Sequence, residues 1–347
     1  MAVAILGVIG EIHDTPLMAA AVASAGLLWS SRERRAWLMA TVLVAAGLFW
    51  SRLDGCHCST WWRGTIVSSK LAGQIPYVEW NDISRAVFSR CDSICTPRPE
   101  VADSVQWLEE KVVDDRQFDQ YETALGKFWI IRPGKFILTW MVWEMLSQSD
   151  YESGEVKILP GDTVIDCGAH IGIFTRFALQ RGASRVIAVE PDPANIAAFE
   201  ANLAEEIASG KVILVKAGVW HENTRLDLFE PEANSGANSF VPTWEVGSAR
   251  VSGVPVLPLD EIAQNLQLDR VDFIKMDIEG SERHALRGAT STLKQFKPRM
   301  AICTYHLPDD PAAIPEIVTA ARPDYLIHGK DVEFHDDHVQ PKVLYFQ

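Results

Sequence analysis

Apolar residues are distributed along this chain in two ways. In the first fifty positions they form long unbroken runs. From about residue 101 they form short segments whose spacing shifts between the strand and helix periods. Spacing over Val105–Val113 and Phe136–Leu146 predicts two helices, with Arg132-Pro133-Gly134 as a turn between elements. After Leu159-Pro-Gly-Asp162 a regular alternation begins. Strands are predicted at Thr163–Cys167, Arg185–Val189, Val212–Val215, Arg225–Phe229, Val271–Met276 and Met300–Thr304, with closing strands at Tyr325–His328 and Val343–Phe346. Helices fall between them at Gly172–Arg181, Pro193–Ile207, Leu259–Asn265, Glu282–Lys294 and Ala312–Ala321. Strands alternating with helices predict an α/β fold, a Rossmann-like doubly wound and mostly parallel sheet covered on both faces.

The long runs are a different material. Thr15–Ser31 and Ala36–Ser51 hold no charged residue over 17 and 16 positions, and Arg32-Glu33-Arg34-Arg35 lies between them. Each is near the roughly 17–25 residues that cross a bilayer as a helix, with Trp29, Trp37 and Trp50 close to their ends. Residues 1–52 are therefore expected to be membrane-anchoring hydrophobic helices. A cleaved signal peptide fits poorly, because Glu11 and Asp14 precede the first run and no basic residue does. The positive-inside rule puts the arginines in the cytosol. One spanning run then leaves the rest of the chain on the cytosolic face, the side favoured here; two put it on the far side.

Charge sharpens the division. The 347 residues carry a formal net charge of −14, yet residues 1–99 hold 9 basic and 7 acidic side chains and the remainder 23 and 39. So acidic a domain argues against a nucleic-acid partner, since phosphate neutralisation needs Lys and Arg. Residues 53–100 read as a linker or stem holding Cys56, Cys58, Cys91 and Cys95, whose spacing allows disulfides, zinc or inert thiols. Cys167 and Cys303 lie in apolar runs and are expected to be buried. Residues 101–347 form the main domain, with its ligand-binding core at about 155–330.

In open α/β sheets ligands bind beyond the carboxyl ends of the strands, and there the candidate chemistry collects. The first such end reads Asp166-Cys-Gly168-Ala169-His170-Ile-Gly172. Gly168 permits a tight turn close to a ligand, and Gly172 lets the next helix approach the sheet. The second ends in Glu190-Pro-Asp192, and Glu190 follows Asp166 by 24 residues, where doubly wound folds place the acid that binds ribose hydroxyls. Asp192 and Asn195 open the following helix, as caps or as part of an adenosine pocket. The glycines do not form G-x-G-x-x-G, which argues against a nicotinamide cofactor. Further on, Asp272-Phe-Ile-Lys275-Met-Asp277-Ile-Glu279-Gly280-Ser-Glu282 puts a lysine inside a strand and two carboxylates just past its end. Asp277 and Glu279 can position a substrate, take a proton or hold a cation; His306, after the next strand, is a third candidate or a structural histidine. No metal is expected, because no third ligand follows Asp277 and Glu279 in sequence. Gly236-Ala-Asn238-Ser239 either covers the ligand or turns the chain, and His335-Asp-Asp-His338 reads as a solvated loop.

The run Val164-Ile-Asp-Cys-Gly-Ala-His-Ile-Gly172, the Ala188-Val-Glu-Pro-Asp192 strand end and Val271-Asp-Phe-Ile-Lys-Met-Asp-Ile-Glu-Gly-Ser-Glu282 together resemble the FkbM family of S-adenosylmethionine-dependent methyltransferases. Ala301-Ile-Cys-Thr-Tyr-His306, Pro308-Asp-Asp310 and Val343-Leu-Tyr345 extend the likeness over roughly residues 150–347. His170 departs from it, where the family commonly has Asn. The resemblance implies a class I methyltransferase sheet, S-adenosylmethionine as cofactor, and methyl transfer to a hydroxyl of a sugar, lipid or natural product. It implies cofactor contacts from Asp166, Gly168, Ala169, His170, Gly172, Glu190 and Asp192, with Asp277, Glu279 and His306 as catalytic candidates. The competing expectations are a membrane-tethered oxidoreductase and a cofactor-binding module without catalysis.

Overall fold

The computed structural model describes residues 66, 67, 69–73, 75–80, 83 and 99–347, apart from 149, 232–233, 242–248 and 335–338. The two N-terminal apolar runs, the four stem cysteines and His335–His338 lie outside the described residues. Among the described residues no helix is long and apolar enough to cross a membrane. The chain divides into two units, Met1–Cys95 with Asp331–Gln340, and Thr96–Lys330 with Pro341–Gln347. In the first, Ile66, Val67, Ile75, Val78, Ile83 and Val339 are buried together.

The second unit opens with α1 (Pro99–Ser104), β1 (Gln106–Val113), β2 (Arg116–Thr123) and β3 (Gly126–Ile131), the strands pairing antiparallel in that order. The helix expected over Val105–Val113 is thus a strand. Val105, Leu108 and Val112 have helical spacing, but Val112 and Trp107 are 65% and 54% exposed and no helical face is buried there. The register is set instead by Asp114 and Asp115, both left-handed at φ 48° and 61°, the backbone of a two-residue hairpin turn. β2 escaped the apolar pattern because only Phe118 and Tyr121 of its buried residues are apolar, while the polar Asp119 and Thr123 are buried with them. α2 (Lys135–Trp143) continues into a π turn at Glu144–Gln148, close to the expected helix.

The alternation then follows, with β7 and β9 as strands that the apolar pattern did not show and β12 longer than the strand expected at Tyr325–His328: β4 (Thr163–Cys167), α3 (Ile173–Gln180), β5 (Arg185–Val189), α4 (Pro193–Asn202), α5 (Ala204–Ala208), β6 (Val212–Val215), β7 (Gly218–Val219), β8 (Thr224–Glu230), β9 (Ala249–Leu257), α6 (Leu259–Asn265), β10 (Phe273–Met276), α7 (Glu282–Arg287), α8 (Thr290–Phe296), β11 (Arg299–Cys303), α9 (Asp310–Ala321), β12 (Ile327–Phe334) and β13 (Val339–Phe346). Two expected helices are split, one at Leu203 and one at Gly288-Ala289. A Cβ at Gly288 would lie 2.3 Å from the Trp220 carbonyl oxygen, so a close backbone approach interrupts the second.

The main sheet has the order β12-β13-β11-β10-β4-β5-β6. β4, β5, β6, β10 and β11 are parallel, and β13 runs antiparallel against β11. β4, β10 and β11, in the middle of the sheet, are buried nearly throughout, as a sheet covered on both faces requires. Cys167 and Cys303 are buried free thiols within it. In register, Cys167 lies beside Val189 on one side and Met276 on the other. The residues that follow, Gly168, Glu190 and Asp277, therefore leave the sheet side by side.

Candidate active site

At that edge is a cleft with about 480 Å³ of open space, lined among others by Gly168, His170, Glu190, Asn195, Asn238 and Asp277. The floor depends on Gly168, whose φ is +77° and whose Cβ, if present, would lie 2.0 Å from the Asp277 carbonyl oxygen. Only glycine lets the turn after β4 touch the strand end of β10.

Glu190 follows β5 directly, with 4% exposure. Its Oε2 accepts from the His170 N–H at 2.8 Å, and its Oε1 from the Asp192 N–H at 3.0 Å and the Asn195 Nδ2 at 3.3 Å. These bonds fix the carboxylate and leave it lone pairs for a ligand. Burial outweighs them and pushes its pKa up to about 7. His170 holds a left-handed backbone at φ 49°, a region in which Asn and His are both enriched. Its Nε2 lies 2.9 Å from Ser235 Oγ, and burial lowers its pKa to about 4, so the ring is neutral. The loop after β8 brings Ser235, Gly236, Asn238 and Phe240 to the cleft wall.

Four of the expected cofactor residues stand behind the cleft instead of lining it. Asp166 is fully buried, 3.4 Å from Lys275 Nζ, and accepts from Thr175 Oγ1 at 2.7 Å. The Ala169 N–H donates to the Val189 carbonyl oxygen. Gly172 lets α3 pass Leu203 and Phe199. Asp192 caps α4, accepting from the Asn195 N–H at 2.7 Å. Lys275 explains a lysine inside a buried strand: besides Asp166 it donates to the carbonyl oxygens of Gly168 and Cys167 at 2.7 and 3.3 Å, tying β10 to the turn. Burial opposes its charge, but Asp166 and Asp277 more than compensate and raise its pKa.

Asp277, Glu279 and His306 do come together. His306 Nε2 lies 3.4 Å from Glu279 Oε2 and 3.5 Å from Asp277 Oδ1, and its Nδ1 lies 3.0 Å from Glu282 Oε1. Tyr151 donates to Asp277 Oδ2 at 2.6 Å. Burial would lower the His306 pKa, but Glu279 and Glu282 reverse that and hold it well above the usual histidine range. Burial likewise works against the Asp277 charge, and Lys275 and His306 overcome it, holding that carboxyl low. Glu279, where burial prevails, is raised. Glu279 has φ 55° and Gly280 φ 91°; successive left-handed residues turn the chain sharply, and such strain gathers at functional sites. Sequence spacing did not reveal Tyr151, Glu282, Ser235 or Ser281 as part of the site. Of these only Glu282 carried a signal, as the last acid of the β10 motif.

A parallel sheet with the β6-β5-β4-β10-β11 order, an antiparallel β13 next to β11, a glycine turn after β4 and an acid after β5 define the class I methyltransferase type of fold. Residues 166–326 match the family model for the methyltransferase FkbM domain. Over those residues the chain is similar to the methyltransferase FkbM domain, the family its motifs resemble. Among similar proteins are 31-O-demethyl-FK506 methyltransferase FkbM of Streptomyces tacrolimicus, 27% identical over 52% of this chain and 78% of that one, and hexuronic acid methyltransferase AglP of Haloferax volcanii, 24% identical over 46% and 63%. The crystal structure of methyltransferase FkbM from Methylobacillus flagellatus KT aligns at 24% identity and a TM-score of 0.43, covering 62% of this chain and 54% of that one. The chain therefore spans under two thirds of the length of some of these relatives.

Proposed function

We propose that this protein transfers a methyl group from S-adenosylmethionine to a hydroxyl group of a sugar, lipid or natural-product acceptor. The observation that carries the reading is the cleft wall itself. His170 Nδ1, Asn195 Oδ1, Asn238 Oδ1, Ser281 Oγ and Asp277 Oδ1 are buried there without hydrogen-bond partners among the described residues. Buried polar atoms are seldom left unpaired, so such a wall is built for a polar ligand. Glu190 suits ribose hydroxyls, and the Gly168 turn admits a ligand close to backbone. When bound, S-adenosylmethionine supplies an activated methyl group on a sulfonium, and the chain's work is alignment and proton handling. Asp277, oriented by Tyr151 and backed by Glu279 and His306, is the group that receives the acceptor's proton. An oxygen acceptor agrees with the printed name of the Streptomyces relative, and a sugar acid with that of the Haloferax one.

The N-terminal runs support a further part of the reading: residues 1–52 anchor the chain in a membrane, with the catalytic domain on the cytosolic face. An acceptor in or near that membrane follows naturally. The test is a comparison of membrane glycans and lipids by mass spectrometry with wild type and with Asp277→Asn. A species heavier by one methylene that is present with wild type and absent with the variant is expected. Asp277→Asn should bind cofactor nearly as wild type and turn over about a hundredfold or more slowly. Full turnover by the variant would remove Asp277 from the mechanism.

A further inference from the structure

We infer that His306 is a positioning residue of the proposed methyl transfer, a doubly protonated imidazolium that Glu282 orients and that holds Asp277 ionised to receive the acceptor's proton. The inference rests on the role given to Asp277 under the proposed function, and it makes the histidine a fixed cation instead of a base. Three carboxylates surround one buried ring. His306 Nε2 is ion-paired with Glu279 Oε2 at 3.4 Å and Asp277 Oδ1 at 3.5 Å, and Nδ1 with Glu282 Oε1 at 3.0 Å. Acceptor oxygens thus face both ring nitrogens, whereas a neutral imidazole carries a proton on only one. Either neutral tautomer sets a lone pair against a carboxylate oxygen, in a place where the ring is only 8% exposed to water. The doubly protonated ring donates at both ends.

The partners of the acids agree. Tyr151 donates to Asp277 Oδ2 at 2.6 Å and the Ile278 N–H to Glu282 Oε1 at 2.9 Å, so both carboxylates already act as acceptors. A proton on Glu279 relieves one of the three contacts and leaves the other two. The remaining cations nearby have partners of their own: Lys275 of β10 lies against Asp166, and Arg283 of α7 pairs with Asp309 and Asp310 at the start of α9. Tyr305 packs over the imidazole, with ring centroids 4.1 Å apart. A ring that donates from both nitrogens has no lone pair for the acceptor's proton. Its charge acts on Asp277 instead. An opposite charge so close favours the ionised carboxylate by about 1–3 pH units, against the burial that opposes it. In the transfer the acceptor's O–H bond breaks as its O–CH3 bond forms. The proton goes to Asp277, the electron pair of the broken S–CH3 bond stays on sulfur, and His306 keeps both its protons.

Full-length protein labelled with ¹⁵N in histidine and ¹³C in the aspartate carboxyls is titrated by NMR, without cofactor or acceptor, with His306 and Asp277 assigned through their own backbone signals. Both nitrogens of wild-type His306 should stay protonated through neutral pH, while the His284 ring, stacked on Trp220 and lowered chiefly by burial, should be neutral there. Glu282→Gln should bring the His306 midpoint down by about 1–3 pH units, and His306→Gln should bring the Asp277 midpoint up by as much. Methyl transfer from tritiated S-adenosylmethionine into a membrane extract is followed alongside. In His306→Gln the acid limb of turnover should move up with the Asp277 midpoint, and turnover should recover as pH rises. A wild-type ring with one protonated nitrogen at neutral pH, an unmoved Asp277 midpoint in folded His306→Gln, or an equal loss of turnover at every pH would overturn the inference; the first of these needs no variant to fold. A singly protonated ring in a protein that transfers methyl would defeat this inference alone. The expected titrations in a protein that neither binds S-adenosylmethionine nor methylates the extract would defeat the proposed function alone.

Discussion

Glu190 joins the cofactor reading to a measurable proton. Burial raises its pKa from 4.5 to about 7. The unfolded chain gives up that proton near the ordinary value and the folded chain holds it longer. Stability from this group is therefore full below about 4.5 and is lost as pH rises through about 7. Ribose hydroxyls donating to the carboxylate favour its ionised form, so cofactor binding should release a proton. S-adenosylmethionine affinity is expected to rise with pH up to about 7, by at most about tenfold per unit, and then level off. Calorimetry at several pH values checks this, and Glu190→Gln should bind more weakly with a flat profile. Glu190 was legible in the sequence because the acid-after-strand position is local. His170 was legible only as a departure. Its left-handed φ of 49° is one that His, like Asn, adopts more readily than most residues.

Among the elements, β10 links stability to the site. Lys275 in its middle is buried against a fully buried Asp166 and bonds the turn carbonyls. Lys275→Met would leave Asp166 charged and unpaired, a loss of about 3–5 kcal/mol. Its urea midpoint should fall accordingly, and a midpoint equal to wild type would show that the pair contributes little. β4, β5 and β6 have the bounds that the apolar pattern gave, because short β-branched runs between turn residues admit few alternatives. β1–β3 were hidden for a physical reason. Their sheet exposes much of one face, so apolar residues such as Trp107 and Val112 sit outside while Asp119, bonded to Arg132 and Trp107, is buried.

At the scale of the molecule, parallel register brings distant residues into one site. His306 and Tyr151 lie far along the chain from Asp277 yet touch it, and no spacing rule marks such contacts. The motif at Asp277–Glu282 was readable; its completion by β11 and by the chain before β4 required the fold. The proposed anchor belongs to the same scale. Deleting residues 1–52 should move the protein from the membrane fraction to the soluble one with cofactor affinity unchanged. Full-length protein found wholly in the soluble fraction would refute the anchor.

The central claim is that the cleft beside Glu190 holds S-adenosylmethionine, and calorimetric titration of the full-length protein tests it most directly. Wild type should bind S-adenosylmethionine and not NAD, and Glu190→Ala should bind it more weakly by on the order of 1.5–3 kcal/mol while remaining folded. Binding of NAD in place of S-adenosylmethionine, or unchanged affinity in a folded Glu190→Ala, would contradict the account.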